Sequence, residues 1–175
     1  MKKQFAAVLL LVSLGLAACT APTPPADTDD STTPAESTLP GETAAEGFSL
    51  PVGDVVLTPG AAMDVTALLG EPLDQQTAPS CVHKGDDIVY TYDGLEIATS
   101  PSPAGQYITS VTLTSDVYTT AEGIFIGSTA AEMTATYGET EAQFGRYVYT
   151  KGKSTLTFMT DDAGTVTAIA YAYVE

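Results

Sequence analysis

Cys81 and His83 are the two side chains of this sequence that are best suited to chemistry. They are two residues apart, so in an extended strand both side chains would lie on the same face. Together with Asp86 or Asp87 they could bind a metal ion, or they could form a thiolate–imidazole nucleophile. A structural zinc site normally uses four Cys or His ligands, however, and no spacing indicates an oxyanion hole. We therefore expect no metal and no cofactor here.

Cys81 on its own is expected to be a small buried apolar residue. The alternatives for its thiol are redox sensing, an intermolecular disulfide or metal binding. The acidic pairs Asp86-Asp87 and Asp161-Asp162 are the next candidates for a site. Calcium loops place oxygen ligands at alternating positions with a glycine at the sixth, and neither pair fits that pattern. Both pairs are therefore expected to be turn residues.

Six tyrosines form a possible interaction face. They occur in pairs, two residues apart, on three predicted strands: Tyr90 and Tyr92, Tyr147 and Tyr149, and Tyr171 and Tyr173. If these strands adjoin in register, the rings would form a stripe on one face of the sheet, which suits recognition of a protein or glycan. The favoured alternative is that the rings pack at the edge of the core or pair across strands.

Cys19 closes an amino-terminal segment that is typical of an export signal. Lys2 and Lys3 precede an apolar run over residues 5–16, which is too short to cross a bilayer comfortably. The following motif, Leu16-Ala17-Ala18-Cys19, matches the lipobox of bacterial lipoproteins. This resemblance implies that residues 1–18 are a signal peptide and that Cys19 carries a diacylglyceryl group. The expected location is the extracytoplasmic face of the cell membrane, in a Gram-positive bacterium.

The charge of the chain excludes several kinds of partner. Its formal net charge is −16, and removal of the leader takes two of the six basic residues and none of the 22 acidic ones, which gives −18. Nucleic acid and anionic lipid are both bound through basic residues, so neither is an expected electrostatic partner. Attachment to the membrane must then come from the lipid on Cys19. With Cys19 lipidated, Cys81 is the only thiol left, so no intrachain disulfide is possible.

The rest of the chain divides into a tether and a folded domain. Residues 19–47 contain the lipidated cysteine and an acidic segment rich in Pro, Thr and Ser, which is expected to be disordered. Residues 48–175 are expected to form a domain with two tandem repeats, at 54–116 and 117–175. Residues 55–70 align without gaps with residues 123–138. The identical pairs are Ala62/Ala130, Thr66/Thr134, Ala67/Ala135 and Gly70/Gly138.

The predicted fold class is α+β, with each repeat formed by a short helix and a three-stranded antiparallel meander, and with the helices packed on the sheet. The first helix is expected to begin near Pro59 and to end at Gly70. The second is expected to begin at Thr129 with a capping box to Glu132 and to end at Gly138. The predicted strands are 88–92, 95–99, 107–114, 146–150, 155–159 and 165–174.

Two motifs carry a resemblance to known families. The pattern Ile126-Gly-Ser-x-x-x-x-Met-x-x-x-Tyr-Gly138 resembles the family of the secreted β-lactamase inhibitor protein and the small outer-membrane-assembly lipoproteins of the SmpA/OmlA type. The pattern Ser80-Cys-x-His-x-Gly-x-Asp-x-x-Tyr-x-Tyr-x-Gly94, followed by Thr120-x-Glu-Gly-Ile124, is similar to a group of lipoproteins from anaerobic Gram-positive bacteria. These resemblances imply a fold and not an activity, and no contact residue of the inhibitor family can be matched here.

The sequence therefore favours a lipid-anchored, extracytoplasmic binding module that is not an enzyme. Its expected partner is a protein or another ligand of the cell envelope, bound through a sheet face or through a groove between the repeats. The alternative is a structural or assembly lipoprotein of the envelope. A Cys81/His83-dependent enzyme or metal-binding protein is a third and more distant alternative, because the sequence has no convergent set of polar residues.

Overall fold

The computed structural model describes residues 47–175 of the chain. The predicted signal peptide, Cys19 and the predicted tether up to residue 46 lie outside the described residues, so these expectations stay predictions. The elements are, in chain order, β1 Leu50–Val52, β2 Val55–Leu57, α1 Val65–Leu69, β3 Asp74–Pro79, β4 Asp86–Tyr92, β5 Leu95–Ser102, β6 Gly105–Leu113, α2 Ala130–Tyr137, β7 Arg146–Lys151, β8 Ser154–Thr160 and β9 Val166–Tyr173.

The strands form one large antiparallel sheet and one small one. The large sheet has seven strands in the order β3-β4-β5-β6-β9-β8-β7, and the small sheet pairs β1 with β2. Pairing of β6 with β9, which sets Val111 opposite Tyr171, joins the first four strands of the large sheet to the last three. Within the described part of the chain, strands β3 and β7 are therefore the two free edges of the large sheet.

The predicted fold class, α+β with tandem helix-on-sheet repeats, is wrong. The described residues are mostly β-structure. Residues 74–79, which were expected to be a loop, form strand β3, and residues 50–57 form the small sheet. The two helices have five and eight residues and bury one side chain each, Val65 and Met133. Helices this short cannot form a layer over a seven-stranded sheet.

The predicted strands are confirmed, with ends that differ by up to three residues. The predicted second helix is also confirmed: the Thr129 hydroxyl accepts a hydrogen bond of 3.2 Å from the Glu132 amide, and the Glu132 carboxylate accepts one of 2.8 Å from the Thr129 amide. These two bonds satisfy amide groups that the first turn of α2 leaves without intrahelical partners. The sequence pattern therefore located this helix correctly.

The predicted start of the first helix is wrong. Residues after Pro59 pair with β6 instead: the Gly60 amide donates to the Ile108 carbonyl oxygen at 2.7 Å, and the Ile108 amide donates to the Ala61 carbonyl oxygen at 3.0 Å. Gly60 has a φ of +87°, and a Cβ there would lie 2.6 Å from the ring of Tyr173. The turn at Pro59 and Gly60 and the pairing of residues 60–63 with β6 leave no room for a helix there, so α1 begins only at Val65.

The two faces of the large sheet differ in what covers them. One face carries a row of buried side chains in register across four strands, Ile97, Val111, Tyr171 and Leu156. The elements outside the sheet add Leu50, Leu57, Val65 and Met133 to this core. The opposite face carries small side chains such as Ala98, Ser110, Ala172 and Thr155, and no described helix or strand packs on it. We call this the open face.

Candidate functional site

His83 lies in a turn that begins at Ser80, the first residue of the sequence motif described above. The Ser80 hydroxyl accepts hydrogen bonds from the backbone amides of Val82 and His83, at 3.4 and 3.2 Å. The imidazole Nε2 lies 3.3 Å from the Tyr107 hydroxyl and 3.9 Å from a carboxylate oxygen of Glu175. The motif therefore places the histidine ring against β6 and beside the carboxyl end of the described chain.

The surroundings of His83 are polar but do not form a catalytic relay. A hollow of about 210 Å³ is lined by His83, Asp87, Ser100 and Tyr107, among others. The Ser100 hydroxyl donates to the Asp87 carboxylate at 2.6 Å, and no described hydrogen bond joins it to the imidazole. Burial, followed by the nearby charge of Glu175, raises the pKa of Tyr107. The arrangement offers hydrogen bonds to a small polar ligand, but it shows no Ser–His pair.

Cys81 and His83 do not lie in an extended strand in this structure. The expected burial of Cys81 is wrong, because its side chain is exposed. The turn at Ser80 breaks the extended geometry that would have placed the two side chains on one face. Within residues 47–175, no group of three His, Cys, Asp or Glu side chains is arranged to hold a metal ion. Asp161 has the expected turn role, since its carboxylate accepts from the amides of Ala163 and Thr165 at 3.0 and 2.8 Å. The same expectation for Asp86 and Asp87 is wrong, because both residues lie in β4.

The six predicted tyrosines lie on the core side of the large sheet. Tyr90 and Tyr171 are 7% and 1% exposed, so their rings offer almost no contact area to a partner. The other four, Tyr92, Tyr147, Tyr149 and Tyr173, are half-buried. Burial raises the pKa of Tyr171, whose hydroxyl has no hydrogen-bond partner among the described residues. This placement favours the packing role for Tyr90 and Tyr171, and an interaction role for the other rings stays a prediction.

Phe144 is the most unusual exposed residue among those described. Its side chain is fully exposed, at 105% of the reference area, and its φ of +54° is the only positive one at a non-glycine residue of the described chain. The Gln143 and Arg146 backbones exchange two hydrogen bonds of 3.0 Å around it, and the next residue, Gly145, has a φ of +72°. Positive φ at both central residues is the mark of a type I′ turn, which favours Asn-Gly and not Phe-Gly.

The turn at Phe144 leads directly into β7, one of the two free edges of the large sheet. Arg146 and Val148 of this strand point to the open face, as does Met159, which lies opposite Arg146 on β8. Val148 and Met159 are 41% and 49% exposed. We call Phe144, Arg146, Val148 and Met159 the β7 surface.

The β7 surface lies in the basic part of a strongly acidic chain. The described residues include four basic side chains, and three of them are on β7 or its hairpin with β8: Arg146, Lys151 and Lys153. No acidic residue occurs from 142 to 160, whereas residues 47–175 contain 16 in all. Within the described part of the chain, no carboxylate lies within 4.0 Å of these three cations.

Two hollows adjoin this surface. One, of about 360 Å³, lies between the segment 140–143 and β7 and is lined by Thr140, Glu141, Gln143, Arg146 and Val148. The other, also of about 360 Å³, is a shallow depression on the open face, where Arg146 and Met159 border the alanines of β9, Ala168, Ala170 and Ala172. A partner could thus contact side chains on both sides of Arg146.

The sequence patterns did not indicate Phe144 or the β7 surface. The available signals were a Phe-Gly pair before a predicted strand and a basic stretch without acidic residues, in a chain of net charge −16. Neither is a known motif, and the exposure of Phe144 depends on its turn conformation.

In the described residues, no helix is long and apolar enough to cross a membrane.

Comparison with known proteins leaves the family of this chain open. No family model matches the sequence, and no curated protein gives a significant match. Among solved structures, the chain is similar to an extracellular protein containing an SCP domain from Bacillus anthracis strain Ames, with a TM-score of 0.40 and 10% sequence identity. The match covers 67% of this chain and 44% of that protein, so this chain spans less than half of its length. A likeness at this level assigns neither fold nor function.

Proposed function

We propose that this protein is a lipid-anchored, extracytoplasmic binding module that is not an enzyme, and that it binds a protein of the cell envelope through the β7 surface. The observation that carries the proposal is Phe144, a fully exposed aromatic side chain held on backbone that aromatic residues rarely adopt. The lipobox ending at Cys19 supports the anchor and the location.

The conformation of Phe144 has an energetic cost. A left-handed backbone at a residue with a side chain costs about 1 to 2 kcal/mol, and Asn or Gly would avoid most of it. An exposed phenyl ring gains nothing from burial to offset that cost. Strained residues of this kind cluster at ligand-binding and active sites. Burial of Phe144 against a partner would supply the stabilisation that the isolated protein lacks.

The neighbours of Phe144 fit a protein partner. Aromatic residues, Met and Arg are enriched at the centres of protein interfaces, and Phe144, Arg146 and Met159 combine these types. Val148 extends the apolar contact along β7. The open face beside them carries small residues and a shallow depression, so a partner could approach without displacing any described element.

The test is photo-cross-linking in intact cells with the full chain. A benzophenone amino acid replaces Phe144 in one strain and Leu73 in a control strain. Leu73 is a suitable control because it is also apolar and exposed, at 76%, but lies next to the opposite edge of the sheet. We expect a discrete cross-linked envelope protein from position 144 that is absent from position 73. Equal patterns from the two positions, or no product from 144, would overturn the proposed binding surface.

The anchor has a separate test. Mass spectrometry of the amino-terminal peptide should show a diacylglyceryl group on Cys19 and no residues 1–18. The Cys19→Ser variant should move from the membrane fraction to the soluble fraction. An unmodified Cys19 in the natural protein would refute the anchor while leaving the β7 surface to be judged by cross-linking alone.

A further inference from the structure

We infer that the partner adds a strand to β7: the free edge of this strand binds an extended, acidic segment of the partner protein by backbone pairing. This inference rests on the proposed function, because it uses the same surface, but it names the mode of binding and the chemistry of the bound segment.

Among residues 47–175, the backbone of β7 has unpaired groups along its outer edge. The Thr160 amide donates to the Gly145 carbonyl oxygen at 2.8 Å, and β7 joins β8 through the hairpin that sets Lys151 opposite Ser154. Antiparallel strands alternate between hydrogen-bonded and non-bonded pairs, so Tyr147, Tyr149 and Lys151 bond to β8. The amides and carbonyls of Arg146, Val148 and Thr150 then point away from the sheet.

Only part of this outer edge is already used. Arg146 exchanges its two backbone bonds with Gln143, which starts a short antiparallel pairing. The pairing stops there, and the hollow beside Val148 separates the segment 140–143 from the rest of β7. In the described residues, Val148 and Thr150 thus keep free edge groups, which can pair with a short extended segment.

The charges of β7 select an acidic segment. Arg146 points to the open face and Lys151 to the other side, so an added strand meets a cation on either face. Glu141, on the far wall of the hollow, is the one acidic side chain that lines it. On the open face, the exposed Val148 and Met159 favour apolar residues, so the acidic residues that alternate with them lie on the other face, beside Lys151. Exposed edges are often blunted by lysine against aggregation, but Val148 keeps the centre of this edge apolar.

A second copy of this chain is a poorer occupant. Antiparallel pairing of two β7 strands would bring two basic edges together with no acidic residue on either strand, and two chains of net charge −16 also repel each other as a whole. The opposite edge, β3, differs from β7 in charge and in backbone donors. It carries Asp74 and no basic residue, and it ends at Pro79, which has no amide hydrogen to donate. Strand β3 is therefore an internal control for β7.

The test uses hydrogen–deuterium exchange of the full chain in detergent, read at single amides. The probe is a seven-residue peptide of alternating Glu and Val. We expect the Val148 and Thr150 amides to exchange rapidly in the free protein and about tenfold more slowly when the peptide is present at ten times its dissociation constant. Amides of β3 should not change. A peptide of alternating Lys and Val should give no protection.

The backbone requirement is tested by methylating alternate amide nitrogens of the Glu/Val peptide. We expect the methylated peptide that lacks the pairing donors to lose protection of Val148 and Thr150. In the Lys151→Gln variant, the unmodified peptide should bind about two- to fivefold more weakly, as expected for one exposed charge pair. Equal binding of the methylated and unmodified peptides would overturn strand addition. Slow exchange of the Val148 and Thr150 amides in the full chain without any peptide would also overturn it, because the edge would then be occupied already, for example by the acidic residues 20–46.

These outcomes are distinguishable from failure of the proposed function. A cross-link from position 144 with no protection of the β7 amides would keep the binding surface and reject strand addition. Protection by the Glu/Val peptide without a cross-link in cells would reject the proposed envelope partner instead.

Discussion

The Tyr149 hydroxyl donates a hydrogen bond of 2.8 Å to the carbonyl oxygen of Gly138, the residue that ends α2. The Tyr92 hydroxyl makes the same kind of bond, at 2.9 Å, to the carbonyl oxygen of Gly70, which ends α1. The last carbonyls of a helix have no intrahelical partner, so each tyrosine satisfies one of them. Each short helix is thus tied to a strand of the large sheet through one phenol group.

Removal of the phenol oxygen of Tyr149 should destabilise the protein. We expect Tyr149→Phe to lower the free energy of unfolding by about 1 kcal/mol, because a net hydrogen bond is lost while the ring stays. Tyr92→Phe should have a similar effect. Urea denaturation followed by circular dichroism measures both. The control is Tyr147→Phe, since the Tyr147 hydroxyl makes no described hydrogen bond. If Tyr147→Phe lowered the free energy of unfolding as much as Tyr149→Phe does, the hydrogen bond of Tyr149 would not be the cause.

Tyr171 should give the opposite result. Its ring is 1% exposed and its hydroxyl has no hydrogen-bond partner among the described residues. A buried hydroxyl that is unpaired costs about 1 to 3 kcal/mol. We therefore expect Tyr171→Phe to leave the free energy of unfolding unchanged or to raise it by about 1 kcal/mol. A clear destabilisation in the same denaturation experiment would show that the hydroxyl has a partner after all.

How much of the fold could be predicted depended on how local its signals are. The capping box at Thr129 and Glu132 is a four-residue pattern with its own hydrogen bonds, so the sequence located it without knowledge of the rest. The start of α1 was different. Pro59 suits a first helical turn, but pairing of Gly60 and Ala61 with Ile108, 47 or more residues away in sequence, decided the outcome. The sequence does not show such distant pairing.

The candidate site was harder to predict than the fold. Pairs of tyrosines on strands indicated a shared face, and the structure places them on one, but alternation alone does not say which face meets the core. Residues 74–79 had no apolar alternation, so β3 was missed, and with it the fact that β7 is one of two free edges. Without knowledge of which strands lie at the edges of the sheet, the basic residues of β7 could not be recognised as part of an exposed edge.

The capping box also makes a pH dependence testable. Hydrogen bonds from the Thr129 amide and then from its hydroxyl lower the pKa of Glu132 below its ordinary value of 4.5. A carboxylate whose pKa is lowered by folding stabilises the protein above its unfolded pKa, and this stabilisation is lost as the pH falls through the folded pKa. We expect Glu132→Gln to show a smaller loss of stability than the natural protein between pH 5 and pH 3, measured by thermal unfolding. Identical pH profiles would contradict this role for Glu132.

The Phe144→Asn variant separates the backbone strain at position 144 from the contribution of the phenyl ring to binding. Asn adopts a left-handed backbone readily and is favoured before Gly in a type I′ turn, so the variant should be more stable by about 1 kcal/mol. The same change removes the phenyl ring, so it should abolish a photo-cross-link to the envelope partner from a probe at the neighbouring exposed residue Gln143. Most variants that lose binding also lose stability, and the opposite signs expected here exclude misfolding as the cause.

The control for this prediction is Gly145→Ala, in the same turn. Gly145 has a φ of +72°, and a Cβ there would lie 2.8 Å from the Thr160 carbonyl oxygen, so the variant should be clearly destabilised. Its phenyl ring at position 144 is retained. If Phe144→Asn were less stable than the natural protein, the turn would not be strained by Phe144. If it were more stable and still gave the cross-link, the ring would not be the contact, and the proposed β7 surface would have to bind without it.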